Sequence, residues 1–579
     1  MNIVTIGGKC TAGLRCKRFI LAVLVVAFIF DLCGGAIAFE IKTGNDDFKV
    51  NWDNSFRYNL GYRVGSQDQA ILSNPNLDDG DRNFDSGVVT SRLDILSEFD
   101  LTYKKNYGFR ISGAGWYDQA YNNQLGNTSV ATSNHLDGNG NQALGLNGYV
   151  KHYYAGPNAE ILDAFAFGKF SIADMPVQVK AGRHTLYFGE SLGLTAALNG
   201  IAYAQSPLDF AKAYAVPGTN VKELFRPLAS VSATAQPIKS LSITGQYFLQ
   251  WEPNRYPESG TYMGVYDSFL TSADAILDSA LGIINRGNDI NPPDAQDYGA
   301  AVRWSPGWLD GTLGLYYRNF SDRFPQVCLN LNPLASGSPA QFDMAYPSGI
   351  DLFGISLSKQ ILGISVGAEL AYRKNMPLQS DPLIVASVEN AAALGLPPGS
   401  YTTTLPDSGG TAAARGDTSH GVLNFLGLIN KTPLFDTAQW TVEFDWQRWN
   451  SVTQNEALFK GRDGYTAIDR VDKDAFGVDL TFMPTWFQVF PGVDLLMPLT
   501  YGMGLKGNSA TIAGINENAG YWSAGISADI LSRYRLDLAY VAYFGNYSTD
   551  QTGAVTINNG DYALLKDRST LSLTLKATF

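Results

Sequence analysis

From residue 39 onward, apolar side chains recur at every second position in short segments. Phe48, Val50, Trp52, Phe56, Tyr58, Leu60 and Tyr62 share one face, and Lys49, Asn51, Asp53, Ser55 and Arg57 share the other. Leu93, Ile95, Phe99, Leu101 and Tyr103 repeat the pattern against Arg92, Asp94, Glu98 and Asp100, and Lys104 to Gly108 reads as a tight turn into Phe109 and Ile111. Period two is the mark of strands with one apolar and one polar face. Further hairpins follow around Lys239-Ser240, Gly363 and Ser532-Arg533, and Val422–Leu428 leads to Trp440–Trp446. Short and long connections alternate along the chain. The pattern predicts an all-β, antiparallel, up-and-down transmembrane barrel of about 18 strands, each of about 9–11 residues. The number falls to 16 if the weak segments Glu160–Phe170 and Tyr298–Trp304 fail. One strand does not alternate cleanly. Val177 and Val179 place Arg183 on the lipid face, which is costly in mid-bilayer, so a bulge at Gly182 turning Arg183 inward is expected.

The chain ends support the membrane reading. Lys9, Arg15, Lys17 and Arg18 precede an apolar run from Phe19 to Phe30, and Ala36-Ile37-Ala38 supplies small residues for cleavage. This predicts a signal peptide over 1–38 and a barrel over 39–579. At the other end, Leu571, Leu573, Leu575, Ala577 and Phe579 alternate with polar residues. A terminal Phe on an amphipathic strand resembles the assembly signal of outer-membrane barrels, which makes Phe579 a lipid-facing recognition residue. The predicted location is the outer membrane of a Gram-negative cell, among its lipids and lipopolysaccharide, reached through the barrel-assembly machinery.

Composition narrows the function. Only 17% of the 579 residues are charged and 12% are aromatic, yet mean hydropathy is close to zero, at −0.08. A helical membrane protein would be far more apolar. The net charge of −12 argues against nucleic acid. Three of the four cysteines (Cys10, Cys16, Cys33) lie in the leader, which leaves Cys328 and no cysteine-based disulfide or metal site. The four histidines stand beside no hydrolase or zinc-protease pattern, so neither an enzyme nor a cofactor is predicted. Asp78-Asp79-Gly80-Asp81 looks superficially like a calcium loop, but Leu77 occupies a ligand position. It reads as a solvated extracellular loop.

Inward positions carry mixed charge. Arg57, Arg92, Arg110, Arg303, Arg318, Arg373 and Arg535 face Asp94, Glu98, Asp100, Glu369, Glu443, Asp445, Asp479 and Asp537. This describes either a hydrated, cross-paired wall or a selectivity ladder. The loops are unusual for a porin. Ser191–Ala204 is apolar, Val265–Ile284 carries apolar residues at helical spacing, and Leu383–Leu396 is apolar. Exposed to water, such segments would be a liability, so they are expected to pack on one another or to fold into the lumen. The inserted segments are placed at about 189–227, 251–297 and 374–419. In the plug reading, Leu192, Leu194, Leu198 and Tyr203 line the substrate path, and Arg183 and Glu190 anchor the segment by charge-assisted hydrogen bonds.

Met175-Pro176, Gly182-Arg183, Gly189-Glu190-Ser191, Val216-Pro217-Gly218, Tyr372 to Gln379 and Phe487 to Asp494 together resemble a family of outer-membrane proteins catalogued as domain of unknown function 1302. The resemblance spans essentially the whole mature chain. It implies a barrel channel paired with an outer-membrane lipoprotein and a large inner-membrane transporter of the resistance-nodulation type, in a setting of lipid- or sterol-like traffic. Three function classes follow: a plugged transporter of hydrophobic or amphipathic compounds, a porin-like channel for small polar or acidic solutes, and a structural or adhesive surface barrel.

Overall fold

The computed structural model describes residues 39–579 except 124, 216–220, 269–270 and 513. The leader with its cleavage site at Ala38, the Val216-Pro217-Gly218 bend and Phe269-Leu270 lie outside the described residues. In chain order the barrel strands are β1 (Phe48–Arg63), β2 (Gly87–Tyr103), β3 (Tyr107–Asp118), β4 (Asn158–Ile172), β5 (Met175–His184) and β6 (Leu228–Ile238). They continue with β7 (Leu241–Phe248), β8 (Tyr298–Trp304), β9 (Gly311–Phe320), β10 (Ile350–Ile361), β11 (Ile364–Pro377) and β12 (Arg415–Ile429). The last are β13 (Thr437–Gln454), β14 (Asp474–Phe490), β15 (Val493–Leu496 with Leu499–Lys506), β16 (Gly520–Ile530), β17 (Tyr534–Phe544) and β18 (Thr570–Thr578).

Neighbours pair antiparallel throughout, and β18 closes on β1 with Leu573 opposite Leu60. The result is a closed 18-strand barrel, which leaves no unpaired edge in the bilayer. β15 is one crossing in two pieces. Both pieces pair with β14 and β16, and Pro498, which has no N–H to donate, stands at the break. A short strand, Phe39–Ile41, extends the sheet beside Trp52–Val50. Both weak segments, within β4 and β8, are strands. The expected uniform length does not hold: strands run from 7 to 18 residues.

Periplasmic turns are tight. Lys104, Lys105, Ala173, Asp174, Leu362, Leu531 and Ser532 all take positive φ, the conformation that two-residue hairpin turns require. β5 pairs with β4 and β6 without a register shift, so the bulge expected at Gly182 is absent. Gly182 instead takes φ 121°. Arg183 lies one residue from the strand's extracellular end, where its guanidinium leaves the hydrocarbon without a bulge.

Burial along the inward face changes with height. On β1 the inward residues Lys49, Asn51, Asp53 and Ser55 are exposed or half-buried, whereas Arg57, Asn59, Gly61 and Arg63 are buried. β2 repeats this, from half-buried Thr102 and Asp100 up to buried Asp94, Arg92 and Thr90. The long extracellular loops fill the upper half of the lumen, and the lower half is a polar vestibule. Three of these loops also supply a five-stranded sheet, from Ala275–Asp278, Gly282–Ile290, Gln326–Asn330, Gln341–Ala345 and Leu383–Val385.

Two expectations about the loops are corrected. The stretch read at helical spacing, 265–284, contributes a hairpin: Ile276 pairs with Ile284, and Gly282–Ile290 then pairs with Gln341–Ala345. Asp278 accepts N–H bonds from Ala280 and Leu281 to make the turn, and the isoleucines suit a strand once a partner strand is present. Asp78–Asp81 is not solvated. Asp78, Asp79 and Asp81 are buried, because Arg63 and Arg568 meet Asp81 at 2.6 and 3.1 Å and the Asp79 N–H donates to Asp267.

Candidate functional site

The segment after β5 turns back into the lumen and forms a short helix, Leu194–Asn199. A helix this short cannot satisfy most of its own terminal N–H and C=O groups. The barrel wall holds the backbone on both sides of it, and also the carbonyls of its last residues. Glu369 on β11 accepts the N–H groups of Glu190, Ser191 (2.8 Å) and Ile201 (2.7 Å). Glu443 on β13 accepts those of Leu192 (2.9 Å) and Gly193 (2.8 Å). At the other end, Arg373 on β11 donates to the carbonyls of Leu198 (3.2 Å), Asn199 (2.7 Å) and Gly200 (2.8 Å). Arg318 on β9 donates to those of Ile201 (3.1 Å) and Tyr203 (2.5 Å). Glu443 at the leading side and the two guanidiniums at the trailing side follow the polarity of the helix, Glu369 reaches the backbone on both sides of it, and charge-assisted bonds are the stronger kind.

Side chains complete the clamp. Asn199 bridges His420 and the β12 and β13 carbonyls of Gly421 and Trp446. Asn424 links the Glu190 carbonyl to Glu443. The Tyr203 hydroxyl donates to Asp322 at 2.8 Å, and the Arg373 guanidinium lies 4.2 Å from its ring centroid. Tyr203 and Ile201 belong to an apolar cluster with Phe188, Phe210, Phe320 and Phe324, against which Leu194 and Leu198 pack half-buried. Leu192 does not join it and is 49% exposed. Close approach of backbone to carboxylate requires small residues: a Cβ on Gly200 would lie 2.6 Å from the Glu369 carboxylate, and one on Gly189, at φ 102°, would lie 2.5 Å from it.

The wall charges therefore divide. Arg373 and Glu443, with Glu369 and Arg318, hold the plug. Arg92 binds Asp94 beneath the loops, and Asp94 lies 3.7 Å from Arg57, which also meets Glu223 of the loop before β6. Arg110 pairs with Glu98, Asp100 (2.9 Å) and Asp163 (3.2 Å) in the lower vestibule. Asp445 is buried next to the clamp, with no hydrogen-bond partner for either oxygen among the described residues. Of the two residues expected to anchor the plug, Glu190 meets the wall by a charge-assisted bond and Arg183 does not. Glu190 is tied by its carboxylate to Arg303 and Ser356. Arg183 serves another loop, through Gln250 and Glu252. Phe579 packs edge-on against Phe56, under Arg533, and exchanges backbone bonds of 2.8 Å with Asn54.

A second junction lies wholly in the loops. Asp79 of the loop over 64–86 donates its N–H to Asp267 of the loop over 249–297, and the Asp267 N–H donates to the Asn76 carbonyl at 2.9 Å. Burial lifts the Asp79 carboxyl to about 7. Burial, with Asp79 and Asp78 nearby, holds Asp267 well above the usual carboxylate range. Burial also raises Glu258, in the same loop, to about 7.

The family described as protein of unknown function (DUF1302) matches residues 19–579. No curated protein matches the chain. Among solved structures, OccAB1 of Acinetobacter baumannii is 11% identical, with 92% of this chain and 96% of that chain covered and a TM-score of 0.40. OpdK of Pseudomonas aeruginosa, solved with vanillate, is 10% identical, with 92% and 98% covered and a TM-score of 0.38. A BenF-like porin from Pseudomonas fluorescens Pf-5 gives the same identity, coverage and score.

Proposed function

The chain belongs to the DUF1302 family, and on that premise we propose that this outer-membrane barrel is a gated channel for hydrophobic or amphipathic compounds of lipid- or sterol-like character. One observation carries the reading: an apolar segment is held inside the lumen by five backbone N–H groups on two wall glutamates. Such a plug is bound through its backbone and can leave as a unit. Its departure would open an aromatic, apolar passage lined by Phe188, Phe320 and Phe324, which suits a solute that gains by leaving water. A porin-like role for small polar solutes is favoured by the polar lower vestibule around Arg110, Glu98 and Asp100. The two readings part in a transport assay. Liposomes holding the intact protein should take up a fluorescent sterol while passing little current. A large steady conductance with no sterol uptake would sink the hydrophobic reading.

The periplasmic face supports a partner. Trp308, Leu362, Leu434, Phe490 and Leu531 are strongly exposed on the turns from β8 to β17, whereas the turn at Lys104-Lys105 is polar. Leu362 and Leu531 take φ of 50° and 54°, where leucine is uncommon. An envelope lipoprotein or an inner-membrane transporter docking on this arc is part of the proposal. Replacing both leucines with Asn should leave assembly intact and abolish co-purification of either.

A further inference from the structure

The lipid-facing wall of β8–β15 is not evenly filled. Two adjoining grooves, of about 680 and 450 Å³, share Leu370 and Trp446. They form where outward positions lack bulk. Gly421 on β12 stands opposite Leu370 and Trp446, which lean over it, and a Cβ there would sit 3.2 Å from the Trp446 ring and 3.5 Å from Leu370. Ala300 and Ser419 leave similar gaps beside Tyr317, Phe353 and Tyr372. The larger volume falls within the range of sites that bind small molecules.

The groove has direction. Tyr317 and Phe353 lie three residues from the extracellular ends of β9 and β10, so the larger groove belongs to the outer leaflet. Its upper end is polar. The Tyr317 hydroxyl donates to Asp351 at 2.9 Å, Tyr372 to Asp417 at 2.8 Å, and Asn450 to Ser419 at 2.8 Å. Lys374, two residues above Tyr372 on the same outward face, is exposed and stands opposite Asp351 in the register of β10 and β11. Asp351 also accepts from Asn319, and Asp417 accepts the Asn375 N–H, so both carboxylates are engaged within the protein. Arg448 and Asp474 pair with each other beside the rim.

We infer that this groove binds one acyl chain of lipid A, the lipid portion of lipopolysaccharide, with a phosphate of its headgroup at Lys374. The groove is continuous with the surface the barrel presents to the bilayer, and hydrocarbon, not water, is what meets it there. The outer leaflet of a Gram-negative outer membrane is built of lipid A, and the exposed lysine fits its phosphate. The site lies on the opposite side of the wall from the plug and does not depend on what the lumen carries.

The test is native mass spectrometry of the detergent-purified full chain titrated with hexa-acylated lipid A, alongside Gly421→Trp and Lys374→Glu. The unmodified protein should hold one lipid A, Gly421→Trp should weaken that binding by roughly tenfold or more, and Lys374→Glu should weaken it less, a tenfold loss being about 1.4 kcal/mol. Unchanged heat-modifiable migration shows that the variants fold. Equal lipid A retention by all three proteins would overturn the inference. So would equal, groove-dependent retention of phosphatidylethanolamine, or a dimer that Gly421→Trp dissolves, since these name another occupant. If Gly421→Trp does not assemble, Ser419→Cys gives a second measurement against Cys328, the one cysteine among the described residues, which is buried. Lipid A should slow its alkylation, and an unchanged rate would overturn the site.

Discussion

The two halves of the lumen are built from the same strands with the same alternation, and they end in opposite states. On β1, Arg57 and Arg63 are buried while Lys49 and Asp53, on the same face lower down, are not. The difference is the company each height receives. Near the periplasm the wall faces water, and Arg110 is satisfied by neighbouring wall carboxylates. Toward the outside the wall faces folded loops, and Glu369, Glu443, Arg373 and Arg318 are satisfied by loop backbone. A wall charge is thus a solvated pair in one half and a docking point in the other.

Removing the plug should erase this contrast. Deleting Leu192–Tyr203 is expected to raise single-channel conductance several-fold in planar bilayers and to abolish uptake of an apolar substrate. Unchanged conductance would mean that the upper half is not closed by this segment. Loosening the clamp comes next. Glu369→Ala leaves three N–H groups without their acceptor, and each buried orphan costs about 1–3 kcal/mol. The plug should then open often enough to give flickering current and protease cleavage within 189–203. Gly200→Val should act similarly, because its side chain collides with the Glu369 carboxylate, and Gly200→Ala should do so more weakly.

A smaller effect is expected from pH, at the loop junction above the plug. Asp79 has a folded value of about 7, above its ordinary value of about 3.9. The folded loops therefore bind more protons than separated loops between these values, and their packing weakens as pH rises from about 4 to 7. Hydrogen exchange in 64–86 and 249–297 should be slower at pH 5 than at pH 8, and Asp79→Asn should flatten the difference. A faster rate at pH 5 would refute the sign. Least of all should change in the open half. Arg110→Gln is expected to shift the vestibule toward cations in reversal-potential measurements while leaving the closed state of the plug alone. Plug release in that variant would show that the halves are coupled.

Much of this protein is legible in local pattern. Period-two alternation from Phe48 to Tyr62 and from Leu571 to Phe579 predicts strands with one lipid face, and alternating loop lengths predict an even count. The apolar run Ser191–Ala204 predicts its own burial, because nothing that greasy stays in water. These are properties of neighbouring residues, and neighbouring residues reveal them. What the tertiary structure decides is which distant groups meet. The residues that grip the plug lie far away in sequence, with Gly193 and Glu443 separated by 250 positions, and no local pattern distinguishes Glu369 from Glu98. For the same reason the sequence pointed to Arg183 as an anchor when it serves another loop. It pointed to a helical stretch over 265–284 where Ala275–Asp278 pairs with Gly282–Ile290, because the further partner Gln341–Ala345 arrives from a different loop. It read Asp78–Asp81 as solvated, although Arg63 and Arg568, from β1 and the last loop, bury it. Alternation is set by the pleat of each strand, whereas these contacts exist only once the barrel closes and brings its loops to one mouth.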